Sequence, residues 1–180
     1  MELFKIFLYT LIFTCLVLIF YIQIYNKIKT QIIKINSSEN EIDDNLRLKY
    51  DLIVKIIAEI KKIIKDTKDF DDIEEIKDIN ISSFEFYRKL ADYESKIYTI
   101  KNDNSKILKN NTFNDLWYEI VNINTKLKAI EKYYNDSITS YNILVSKFPS
   151  KIVALILKYK EKKYFDGKNM YDKNIKDFKI

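Results

Sequence analysis

An all-α fold is predicted: one N-terminal transmembrane helix followed by an antiparallel bundle of long helices. Three observations predict it. The 180-residue chain has one Gly and one Pro, the residues that punctuate turns and interrupt helices, so a fold with many tight turns is not expected. A stretch of 19 residues from Ile6 to Ile24 carries no charged side chain. Beyond it, apolar residues recur at spacings of three and four, the signature of a helix with one buried face.

At 1.5 Å of rise per residue the uncharged stretch is ~28 Å long, close to the hydrocarbon thickness of a bilayer. It reads as a single membrane span that is retained. A cleaved signal peptide needs small residues at its cleavage site, and neither Gly nor Ala occurs before Ala58. A lipoprotein reading of Cys15 fails because the apolar run continues past it. Lys27, Lys29 and Lys34 follow the span, whereas Glu2 offsets Lys5 before it, so the soluble part is predicted to be cytoplasmic. The expected division is an anchor over 1–27, a helical bundle over 28–165 and a polar, Lys-rich tail over 166–180.

The first soluble helix is read from Ile28, Ile32, Ile35 and Ile42, then Leu46, Tyr50, Ile53, Ile57, Ile60 and Ile64, and is expected to run from the anchor through Thr67. Ser38 and Glu41 have the spacing of a capping box, so a bend between Asn36 and Asn40 is the alternative. From Lys65 to Ile81, seven acidic and three basic side chains interrupt the periodicity, which predicts a solvated acidic connection. Ser82 and Glu85 form a second capping box, with Ile81 and Phe86 placed as a hydrophobic staple, and Phe86, Leu90, Tyr93, Ile97 and Ile100 continue the stripe.

After a polar stretch from Lys101 to Thr112, the longest stripe runs through Phe113, Leu116, Ile120, Ile123, Leu127, Ile130, Tyr134, Ile138, Tyr141, Val145 and Phe148. Its spacing is heptad-like with one stutter. It is expected to pack within the chain, with self-association as the alternative. Pro149 ends this helix and Ser150 is placed to cap another. Ile152 to Leu157 form an apolar patch that closes the end of the bundle. Eight Lys against four acidic residues follow from Lys158 to Ile180, which reads as a solvated tail.

Composition narrows the chemistry. The chain has no His, which removes His-based acid–base catalysis, Ser-His-Asp triads, His-type zinc sites and Glu-x-x-His di-iron motifs. The single Gly, Gly167, allows neither a Walker loop nor a dinucleotide fingerprint. Carboxylate pairs such as Asp43 with Asp44 or Glu74 with Glu75 are adjacent and converge poorly on one substrate. The net charge is +5, but 29 of the 31 basic residues are Lys, with only Arg47 and Arg88 able to make bidentate phosphate or base contacts, so nucleic-acid binding is not expected. No catalytic residue, cofactor or metal site is predicted.

Tyr25-Asn26, Ile42-Asp43, Leu46-Arg47 and above all Tyr50-Asp51-Leu52-Ile53 resemble the first soluble helix of the LemA family. Phe113, Leu116, Glu119-Ile120, Tyr134-Asn135-Asp136, Tyr141-Asn142, Phe148-Pro149 and Tyr164-Phe165 are similar to that family's C-terminal pattern. The sequence departs from the pattern at Val54-Lys55, where the family has Pro-Asn, and at Leu155 to Lys158, where it usually has Gly. The resemblance implies a bacterial cell-membrane protein with one anchor and a long-helix bundle; it implies no biochemical activity.

Tyr134-Asn135-Asp136 and Tyr141-Asn142 lie seven residues apart, on nearly the same helix face two turns on, where they form a polar seam. With Tyr50, Asp51, Phe148 and Pro149 they are the interaction candidates. Two uses of the seam stay open: packing and bonding within the chain, or contact with a partner. The expected role is a membrane-anchored interaction or scaffold protein with a protein partner. The alternative is a membrane-surface module that engages anionic lipid through the C-terminal patch and Lys-rich tail.

Overall fold

The computed structural model describes residues 1–64, 70, 72, 73, 76 and 81–166. The described residues form five helices: α1 (Glu2–Ile63), α2 (Ser83–Asp103), α3 (Ser105–Leu108), α4 (Asn111–Ser146) and α5 (Ser150–Ile156). No strand occurs among the described residues, as the composition predicts.

α1 is unbroken over 62 residues. The helix does not restart at Ser38 as a capping box there would have it. Ser38 is buried, as are Ile35 before it and Ile42 after it. With no Gly or Pro to interrupt the ladder, the apolar register continues, and the Glu41 carboxylate pairs with Lys126 at 3.5 Å. α1 ends at Ile63, four residues before the predicted Thr67.

The chain forms two compact units, one made of residues up to Ser37 with those from Tyr134 on, the other of Ser38–Tyr133. In the second unit the buried faces are Ile42, Leu46, Ile53, Ile56 and Ile60 of α1, Leu90, Tyr93 and Ile97 of α2, Ile107 of α3, and Phe113, Ile120, Leu127 and Ile130 of α4. Lys126 of α4 pairs with Glu41 of α1 at 3.5 Å, while Asn124 reaches Lys49 of α1 through Glu94 of α2. α4 therefore descends as α1 ascends, which is the predicted antiparallel arrangement.

Ser82 caps α2 as expected: its side chain accepts from the Glu85 N–H at 3.2 Å and the Glu85 carboxylate accepts from the Ser82 N–H at 3.2 Å. The polar stretch after α2 holds a single helical turn, α3, capped by Asn104, and it buries Ile107. The acidic connection is not simply solvated. Phe70, Ile73 and Ile76, spaced by three, are buried, and Asp72 accepts from the Tyr93 hydroxyl. That bond holds the Asp72 carboxyl below its ordinary range, against a smaller opposing effect of burial. Residues 65–69, 71, 74, 75 and 77–80 lie outside the described part.

In the first unit, Ile24, Ile28 and Ile35 of α1 form one core with Ile138, Tyr141 and Val145 of α4 and Val153 and Ala154 of α5. Two expectations about the end of α4 are corrected. Phe148 does not continue the buried stripe, because α4 stops at Ser146 and the turn carries Phe148 outward, 80% exposed. Ser150 does not cap α5; Pro149 occupies the cap position without a side-chain bond, and the Ser150 hydroxyl donates back to the Lys147 carbonyl at 3.0 Å.

α5 ends in a Schellman arrangement, with the Tyr159 N–H donating to the Ala154 carbonyl at 2.9 Å and the Lys158 N–H to that of Leu155 at 3.2 Å. This turn needs a left-handed residue, and Lys158 supplies it at φ 57°. A Cβ makes that conformation costly, so this is a place where Gly is preferred. The departure from the LemA pattern at Leu155 to Lys158 thus has a local structural cost.

Candidate functional site

The sequence-predicted seam on α4 faces the chain's own C-terminal segment. Asn142, fully buried, forms a two-way amide bridge with Lys162: its Nδ2 donates to the Lys162 carbonyl at 2.8 Å and its Oδ1 accepts from the Lys162 N–H at 2.8 Å. Two helical turns earlier, Asn135 Oδ1 accepts from the Phe165 N–H at 3.0 Å. Between them the Thr139 and Tyr164 hydroxyls are 2.9 Å apart. The Tyr141 hydroxyl donates to the Lys160 carbonyl at 3.0 Å, and the Tyr134 ring meets Phe165 edge-on at 6.2 Å between centroids.

An irregular segment next to a helix leaves backbone donors and acceptors without a ladder, and these side chains satisfy them. The reading of residues from Lys158 on as a solvated tail is corrected for 159–166, which are held in place; 167–180 lie outside the described part. Burial pushes the Tyr141 phenol above its ordinary range, with Tyr159 adding to it. Asp136 is exposed beside the seam.

Tyr50 and Asp51 lie elsewhere, in the Ser38–Tyr133 unit. Tyr50 is buried with its ring 6.1 Å from Phe86, and Asp51 is exposed. Both line a cleft of about 500 Å³ with Asp43, Arg47, Ser83 and Phe86. The Asp43 carboxylate accepts from the Ser83 hydroxyl, so it is committed to joining α1 to α2. Phe148 and Pro149 are both exposed on the α4–α5 turn. The structure thus gathers Tyr134, Asn135, Tyr141 and Asn142 into one row, with Tyr50 and Asp51 together at a separate cleft.

Two features went unread in the sequence. The first is a buried ionic cluster: Lys49, 2% exposed, pairs with Glu94 at 2.7 Å, and the other Glu94 oxygen accepts from Asn124 Nδ2 at 2.6 Å. The Lys49 ammonium also lies 5.5 Å from the Tyr87 ring centre. Burial pushes the Tyr87 phenol up, and the charges of Glu131 and Glu94 push it further. The signal was available. Lys49 stands three after Leu46 and four before Ile53, and Glu94 four after Leu90 and three before Ile97, so both occupy core-facing positions.

The second is a partly exposed aromatic cluster. Trp117, the chain's single Trp, stacks on Phe113 at 6.2 Å and meets Tyr98 at 6.3 Å, with the Lys101 ammonium 4.9 Å from its ring centre. Tyr98, Tyr118 and Val121 are exposed beside it. Tyr98 and Tyr118 fall off the buried stripes, which was their signal: large aromatic side chains on faces that the core does not need. Among the described residues, no group of three or more Cys, Asp or Glu side chains is placed to hold a metal ion.

α1 begins with an apolar window of which none is buried, long enough to cross a bilayer, and continues as a packed helix. These features define an all-helical protein with a candidate membrane-spanning N-terminal stretch. The chain matches the model of the LemA family over residues 38–177, and it belongs to that family. No curated protein and no solved structure matches it.

Proposed function

We propose that this LemA-family chain is a membrane-tethered scaffold that acts by binding a protein partner and not by catalysis. The observation that carries the reading is α1 itself. Its N-terminal part holds an apolar window of which none is buried, and the same helix then buries a stripe of Ile and Leu in a packed unit. Such a helix ties a folded unit to a membrane.

The partner surface we assign is the patch around Trp117. Aromatic side chains with a nearby cation are enriched where binding energy concentrates, because they bury large areas at low entropic cost. The seam on α4 is a weaker candidate, since Asn135 and Asn142 already serve the chain's own backbone.

A photo-reactive phenylalanine at Tyr118, in full-length protein in native membranes, tests this. A single stoichiometric protein neighbour is expected, lost in Trp117→Ala protein that retains its helical circular dichroism. Absence of any neighbour would remove the scaffold reading. So would substrate turnover by the purified protein that a point substitution abolishes.

A further inference from the structure

We propose that the α4–α5 turn and the outer face of α5 form a second membrane contact, an interfacial wedge lying in the leaflet where α1 emerges. This rests on the reading of α1 as a bilayer anchor. α5 is apolar on both sides. Val153 and Ala154 face the core, while Ile152, Leu155 and Ile156, at helical spacing of three and four, are 53%, 66% and 64% exposed. Phe148 on the preceding turn is 80% exposed, the highest value among the described large apolar residues after Ile24. A short helix that carries apolar residues on its outer face as well as its inner one gains when that outer face is also removed from water.

Position says what covers it. The core that takes Val153 and Ala154 also contains Ile24, the last residue of the uncharged run, and Tyr21 packs against that core. A bilayer whose hydrocarbon ends at Ile24 therefore has its headgroup layer at the level of α5. Lys147, Lys151 and Lys158 are exposed around the patch, placed to reach phosphate groups while Phe148 and Leu155 enter the acyl boundary. Tyr21 and Tyr25 stand at the same depth as interfacial aromatic residues, with the Lys29 ammonium 5.7 Å from the Tyr25 ring centre. The lipid contact thus involves the outer face of α5, and Lys160 to Phe165, part of the basic C-terminal stretch, are bonded to α4 instead.

Full-length protein with Cys15→Ser, reconstituted in vesicles of phosphatidylcholine with a minor share of phosphatidylglycerol, carries an environment-sensitive fluorophore at one introduced Cys: Leu18→Cys, Phe148→Cys, Leu155→Cys or Tyr118→Cys. The quencher is a lipid nitroxide near the headgroup end of the acyl chain. Probes at Phe148 and Leu155 are expected to lose most of their emission, while the Tyr118 probe keeps its own. Ile152→Glu with Ile156→Glu, both at exposed positions, should restore the Phe148 signal. If the Leu18 probe reports lipid but those at 148 and 155 report water, or if they report contact with a second copy, the wedge is refuted and the anchor stands. If the Leu18 probe also reports water, the anchor reading fails and the wedge falls with it.

Discussion

The two halves of α4 use the same side chain in opposite ways. Asn124, in the half that packs with α2, donates to a carboxylate that is itself paired with the buried Lys49 ammonium. Asn142, in the half that packs with the C-terminal segment, bridges a neutral backbone amide in both directions. Both remove polar atoms from water, but Asn142 is bonded at both amide atoms whereas the Asn124 Oδ1 is buried without a partner, and the quantities at stake differ. An ion left unpaired in an interior keeps a larger desolvation cost than a neutral amide does. The ionic half should therefore tolerate loss of a partner less well than the amide half.

The largest effect is expected from Glu94→Ala, which leaves Lys49 buried without a counter-charge. A loss of about 3 kcal/mol is expected in urea unfolding of detergent-solubilised protein, at the lower end for broken buried pairs because Glu94 is partly exposed. Lys49→Met with Glu94→Leu should recover most of that loss by removing both charges together. A double variant as unstable as Glu94→Ala would show that the site needs its charges for packing geometry, and the contrast with Asn142 would lose its electrostatic basis.

Asn142→Ala comes next, at about 2 kcal/mol, since it orphans one backbone donor and one acceptor of Lys162 at the edge of the core. Hydrogen exchange supplies the sharper readout. The amides of Lys162 and Phe165 should exchange faster in the variant while that of Leu127 stays protected. Unchanged protection at Lys162 would mean that the Tyr134–Phe165 and Thr139–Tyr164 contacts hold the segment without the amide bridge.

The smallest effect should be a gain. Lys158→Gly relieves the left-handed residue after α5 and is expected to stabilise by about 1 kcal/mol, offset in part by the greater freedom of Gly in the unfolded chain. Thermal unfolding of the two proteins side by side checks it. A loss instead of a gain would assign the Lys158 side chain a role of its own at this turn.

Comparison of particular elements shows how much the sequence disclosed. The capping box at Ser82–Glu85 was legible because a helix start depends on residues three apart, and it formed as read. The same spacing at Ser38–Glu41 was overridden by a continuous apolar register on both sides. Tyr134, Asn135, Tyr141 and Asn142 were legible as a row, since seven residues bring a side chain back to the same helix face. Their occupant, the backbone from Lys160 to Phe165, was not legible, because nothing local tells an irregular basic stretch whether amides elsewhere will receive it.

The sequence by itself determined an all-α chain with an uncharged N-terminal run, the faces that its long helices bury, and the absence of His and of a glycine-rich loop. These depend on composition and on periods of three to four residues, which are properties of the chain alone. Only the tertiary structure decided that α1 runs unbroken past Ser38, that Lys49 and Glu94 meet, that Phe148 turns outward, and that residues 159–166 are bonded to α4. Each of those depends on what lies across the core from a residue, and hydrogen bonds and charge pairs between distant positions leave no period in the sequence to be read.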